Sequence, residues 1–122
     1  MTSRETTEPD IDAEACTAFQ AVLEQVGRRW TGAVLLAAAR GARRFTDYRR
    51  MVPGISDRLL SQRLKEMEHL GLIDREVIPS TPVQILYHPS DRGTELLAAL
   101  EPLIAYGLRH APGPPPAAAP AD

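Results

Sequence analysis

The sequence predicts a mainly α-helical domain carrying one small β-hairpin, and three observations support that expectation. Apolar residues recur at steps of three and four through most of the chain, and two short runs of strand-forming residues meet around Pro79-Ser80-Thr81-Pro82. Glycine or proline punctuates the boundaries at Gly27, Gly41, Pro53-Gly54 and Gly71. With 122 residues and 43% hydrophobic content, the chain has room for one domain with a modest core.

Residues 1–13 are polar and acidic, and residues 111–122 are rich in proline and alanine. Both read as disordered tails flanking a domain over 14–110. Phe19, Val22, Leu23 and Val26 mark one face of a first helix from Cys16 to Val26, stopped by Gly27. Thr31 is the expected cap of a second, largely buried helix over Gly32 to Ala39 containing Val34, Leu35 and Leu36. Arg43-Arg44-Phe45 reads as extended. Thr46 is expected to cap a brief helix to about Val52, with Tyr48 and Met51 facing inward.

After the turn at Pro53-Gly54, Ser56 caps a fourth helix whose inward stripe is Leu60, Leu64 and Met67. Gly71 ends it, because glycine adopts a left-handed conformation at little cost. Strands are expected over Ile73 to Ile78 and Val83 to His88. Ser90 then caps a last helix. Its Leu96, Leu97, Leu100, Leu103, Ile104 and Leu108 provide more apolar surface than a small monomer needs, which points to a second copy as partner.

Helix, helix, short helix, turn, helix, hairpin, helix is the order of a winged helix-turn-helix. The formal charge of -2 argues against a nucleic-acid partner, but its distribution argues for one. Between Arg40 and Lys65 stand eight basic residues against Asp47 and Asp57, a local excess of +6. If Leu60, Leu64 and Met67 point inward, Arg58, Ser61, Gln62 and Lys65 share the opposite face and become candidate readers of base edges in double-stranded DNA. The helix starts at Thr46 and Ser56, with Arg44 and Arg49, suit backbone phosphates. Ser80 and Thr81 at the hairpin tip would touch the backbone or minor groove and add little charge.

Other classes find less support. No apolar run is long enough to span a bilayer and the N-terminus is acidic, so a cytoplasmic location is expected. The single Cys16 allows no intrachain disulfide and no cysteine metal cluster. His69, His88 and His110 are scattered and there is no glycine-rich phosphate loop, so neither catalysis, metal nor cofactor is expected. A winged-helix module that binds protein instead of DNA is the alternative reading. The polar Arg58, Gln62 and Lys65 face argues against it, since protein interfaces favour an apolar centre.

The stretch from Cys16 to Gly107 resembles the HxlR-type family of bacterial transcription regulators. The resemblance lies in Cys16, Gly27 to Trp30, Arg44-Phe45, Pro53 to Ser56, Leu60-Ser61, Leu64, Glu68, Gly71-Leu72, Arg75, Pro82, Tyr87 and Gly93 in shared order. Departures are Arg28-Arg29 in place of Gly-Lys, Leu86 in place of Glu, and Pro89-Ser90 in place of Leu-Thr. The resemblance implies a homodimer built from the first and last helices. It also implies regulation of transcription, with repression released by a small-molecule, oxidative or electrophilic signal. Cys16 matches a cysteine that some relatives use as a sensor, although an inert interface cysteine is the other reading. Trp30, Tyr87 and Tyr106 are candidates for an effector pocket, or are ordinary core aromatics.

Overall fold

The computed structural model describes residues 3–111, with side chains from Asp12 onward. Its order is α1 (Ser3–Val26), α2 (Thr31–Ala39), α3 (Phe45–Met51), α4 (Asp57–His69), β1 (Ile73–Ile78), β2 (Gln84–Pro89) and α5 (Asp91–His110). This is the expected five helices and hairpin of a winged helix-turn-helix. Two compact units are present, Met1–Gly32 and Ala33–Asp122.

The first unit is α1 and the turn after it. The helix begins at Ser3 and not near Cys16, so residues 3–13, expected as a tail, have helical backbone. Periodicity reveals a helix by its buried face. The segment 1–13 has neither an apolar face nor a glycine, and so gave no such sign. Phe19, Val22 and Leu23 are exposed on α1, Phe19 by 64%. The Gly27 N–H donates to the Leu23 carbonyl at 2.7 Å and closes the helix. Trp30 follows with φ +75, under the Arg29 guanidinium at 5.4 Å from the ring centroid. The C-terminal Pro/Ala-rich tail expected over 111–122 lies, from 112 on, outside the described residues.

The second unit has the core. Val34, Leu35, Ala37 and Ala38 of α2 are buried together with Tyr48, Val52, Ile55, Leu60, Leu64, Met67, Leu72, Ile73 and Leu97. α2 starts at Thr31 itself, and Leu36 is only half-buried. On α3 the inward residue beside Tyr48 is Val52, whereas Met51 is exposed. A seven-residue helix ends before it can bury two turns, and its C-cap Val52 (φ -117, ψ 82) turns the side chain inward.

α4 follows the expected pattern. The Ser56 hydroxyl accepts from the Leu59 N–H at 3.1 Å, and Gly71 ends the helix with φ +79. β1 and β2 pair antiparallel from Ile73↔Pro89 to Ile78↔Gln84. Ser90 caps α5, accepting from the Gly93 N–H at 2.9 Å and donating to the Gly71 carbonyl. Gly93 is a true close approach, because a Cβ there would stand 2.0 Å from the Leu72 carbonyl oxygen. Among the described residues, no helix is long and apolar enough to cross a membrane, and no group of three or more His, Cys, Asp or Glu is placed to hold a metal ion.

A two-stranded hairpin is marginal by itself, and here it is tied to α3. The Tyr48 hydroxyl, in a fully buried side chain, donates to the Tyr87 carbonyl at 2.7 Å. The Tyr87 N–H donates to the Arg43 carbonyl at 2.6 Å, and Arg44 bridges Leu86. The two tyrosine rings meet edge to face, 6.4 Å between centroids.

Burial pushes the Tyr48 phenol up to about 12. The folded value lies above the unfolded value near 10, so this contribution to stability is complete below pH 10 and is lost as the pH rises through about 12. A late tyrosine step near pH 12 is expected in an ultraviolet titration, and Tyr48→Phe should abolish it. The same substitution should cost roughly 0.5 to 1.5 kcal/mol in urea unfolding, because it removes the hydrogen bond to the part-buried Tyr87 carbonyl.

Candidate nucleic-acid interface

α4 is amphipathic in the simplest sense. Leu60, Leu64 and Met67 are buried, and Arg58, Ser61, Gln62 and Lys65 are exposed on the other side. The side chains of those four make no hydrogen bond or ion pair with another described residue. Over its 13 residues the helix is about 20 Å long, enough to lie along one major groove.

Arg40, at the end of α2, is likewise exposed and its side chain has no partner among the described residues, whereas the other basic residues of the patch are used differently. Arg43 donates to the carbonyls of Ala38 (3.1 Å) and Ala42 (2.6 Å), closing the end of α2. Arg63 is buried and pairs with Glu66 at 3.3 Å. Arg50 pairs with Asp47 at 3.5 Å, and Arg49 with Asp57 at 3.2 Å. Arg44 donates to the neutral Gln84 side chain at 3.1 Å, and no described carboxylate compensates its charge. The local excess of +6 in the sequence is thus partly spent within the fold.

Thr46 does not cap α3. The N-cap is Arg44, whose side chain has no acceptor. The cap is made from the other direction, by the Asp47 carboxylate accepting from the N–H groups of Arg44 (3.0 Å) and Arg43 (3.2 Å). These bonds, first that of Arg44 and then that of Arg43, hold the Asp47 carboxyl below its ordinary value. Thr46 lies one residue inside the helix with an exposed, unbonded hydroxyl.

At the hairpin tip the Ser80 hydroxyl donates to the Pro82 carbonyl at 2.7 Å, and Thr81 is exposed. Arg44, Phe45, Thr46, Pro82, Val83, Gln84 and Ile85 line a shallow groove of about 460 Å³ between the hairpin and the start of α3. It brings together Arg44 and Thr46, proposed from the sequence, with Gln84, whose role as Arg44's partner no local pattern could reveal across forty residues.

The three aromatic candidates do not line this groove. Trp30 is under Arg29, Tyr87 is against Tyr48, and Tyr106 stacks on His110 at 4.8 Å. Cys16 is exposed on α1. On α5, Leu103, Tyr106 and Leu108 are exposed, Leu108 by 77%.

A family model described as HxlR-like helix-turn-helix matches residues 25–113. The uncharacterized HTH-type transcriptional regulator YvaP of Bacillus subtilis (strain 168) is 36% identical over 88 residues, 72% of this chain and 82% of its own. The HTH-type transcriptional regulator YodB of the same organism is 32% identical over 91 residues, 75% and 81% of the two chains. YodB has solved structures in reduced and diamide-treated forms. The reduced one superposes with a TM-score of 0.67 at 31% identity, covering 78% of this chain and 94% of that one. The redox regulator HypR in its oxidized form gives a TM-score of 0.72 at 26% identity over 79% and 99% of the chains.

The Asp47 cap yields a stability prediction. Asp47→Ala should destabilise the domain by about 1 kcal/mol at neutral pH. Because the folded pKa is lowered, that stabilisation is present above the unfolded value of 3.8 and is lost as the pH falls through the folded one. Urea unfolding of both proteins should therefore converge in acid.

Proposed function

Because the chain belongs to the HxlR-like helix-turn-helix family, we propose that it is a cytoplasmic, homodimeric transcription regulator that binds double-stranded DNA sequence-specifically through α4. The observation that supports this most directly is the face of Arg58, Ser61, Gln62 and Lys65, exposed and without internal partners. A surface of this kind suits hydrated base edges and phosphates. It lacks the apolar centre that a protein-binding module would present.

Each side chain has a distinct role. Arg58 makes bidentate contact with guanine, Gln62 reads adenine, Ser61 serves several edges and Lys65 meets phosphate. Arg44, Thr46, Arg49 and Ser56 position the backbone, and Ser80 and Thr81 touch it from the wing. The apolar side chains exposed on α1 and on α5 belong to the dimer interface, so two copies of α4 meet successive major grooves of a pseudo-palindrome. The regulator represses, and an oxidant or electrophile reacting at exposed Cys16 releases it. The redox regulator HypR and the diamide-treated YodB among its structural neighbours support that signal. A small effector held near Trp30, Tyr87 or Tyr106 is the other form the signal takes.

Binding to DNA from the chain's own upstream region, with random duplex as competitor, tests the proposal. Specific binding with a steep negative salt dependence is expected, and failure to bind any duplex while dimers persist overturns it. Arg58→Ala should lose about 1 to 3 kcal/mol of discrimination at one base pair, whereas Lys65→Ala should weaken binding to all sequences and flatten the salt slope. Diamide should release the unsubstituted protein from DNA and leave Cys16→Ser bound. Equal release of both would remove Cys16 from the mechanism.

A further inference from the structure

The carboxylate–arginine pairs around α4 differ in what they can do. Asp47 is committed to the backbone amides of Arg43 and Arg44, and Arg63 with Glu66 is largely buried. Among these described pairs, Arg49 and Asp57 are both open to solvent, at 50% and 63% of their side-chain area. Their contact spans from α3 to the first residue of α4, with Arg49 Nη1 at 3.2 Å from each carboxylate oxygen of Asp57. Asp57 is also the immediate neighbour of Arg58, the first of the four unpartnered polar residues.

We propose that Asp57 is an internal competitor for phosphate: by occupying Arg49 at the entrance to α4, it lowers the affinity of this face for any duplex. The proposal rests on the DNA-binding reading above and adds a residue that sets how strong and how salt-dependent that binding is. An exposed ion pair is weak enough for a phosphate to displace. The duplex then gains a cation, but an uncovered carboxylate is left beside it, so the pair as a unit neutralises no phosphate. Arg44, held by uncharged Gln84, carries no such penalty. Sequence-independent binding is essentially electrostatic, so a face restrained in this way depends more on its base contacts to stay on DNA.

The test is equilibrium binding of the full chain to a random-sequence duplex across a salt series, for the unsubstituted protein, Asp57→Asn, Asp57→Glu and the double variant Arg49→Ala with Asp57→Asn. Asp57→Asn should bind roughly two- to tenfold tighter at about 0.1 M salt, with a log–log slope steeper by about 0.9 per protomer. Asp57→Glu should behave like the unsubstituted protein, and the double variant, again neutral at this pair, should return to its slope. A purely structural role for Asp57 would weaken binding without steepening the slope. Thermal unfolding checks each variant, and Asp57→Ser, which also suits a helix start, stands in if Asp57→Asn does not fold. An unchanged or shallower slope in the folded variants overturns the proposal alone. Absence of duplex binding by the unsubstituted protein at every salt concentration overturns the DNA-binding reading and takes this one with it.

Discussion

The hydroxyl of Tyr48, buried and bonded at 2.7 Å to the carbonyl of Tyr87, joins α3 to the hairpin. A phenol can only be buried there because the hairpin supplies an acceptor, and the hairpin is held because the phenol is there. Close by, the Tyr87 N–H reaches the Arg43 carbonyl and Arg44 bridges Leu86, so the chain entering α3 runs alongside β2. That course brings Arg44 to Gln84 and forms the groove between wing and helix. α3 in turn packs beside α4, so the placement of the polar face of α4 relative to the wing traces back to one aromatic side chain.

Charge is divided by the same framework. Several basic residues near the helix junctions are drawn into structure: Arg43 closes α2, Arg63 pairs along α4, and Arg50 backs the cap formed by Asp47. Those on the outward face of α4 are not. A count of charges therefore overstates the field that the surface presents, and the residues that matter for an anionic partner are the few that the fold does not use.

Much of this was legible in the sequence, and the exceptions have physical causes. Leu60, Leu64 and Met67 at helical spacing between Ser56 and Gly71 fixed the orientation of α4, because burial on one face imposes that period. The Ser90 cap and the hairpin were equally visible. The start of α1 was not, since a helix without an apolar face leaves no periodicity. The sequence points to Thr46 as the α3 cap because a hydroxyl is the commoner capping group, whereas in the fold a carboxylate reaches back from Asp47. Arg63 with Glu66, three residues apart, lay within reach of helical spacing rules. Arg49 with Asp57 and Arg44 with Gln84 did not, because tertiary structure alone brings each pair together.

The proposed dimer fits the small number of cations that α4 leaves available. A chain with formal charge -2 steers weakly toward DNA, and among the described residues the outward face of α4 offers Arg58 and Lys65 as its unpaired cations. Each phosphate neutralised multiplies affinity only modestly at physiological salt, so one such face holds a duplex weakly. Two faces fixed in one molecule act together, because the second binding step becomes intramolecular and its effective concentration replaces the bulk one. The apolar residues exposed on α1 and on α5 and the sparse charge of α4 then have a common explanation. In the proposed dimer, a sparsely basic surface would gain discrimination by being used twice, since every mismatch in a symmetric site would count against both copies.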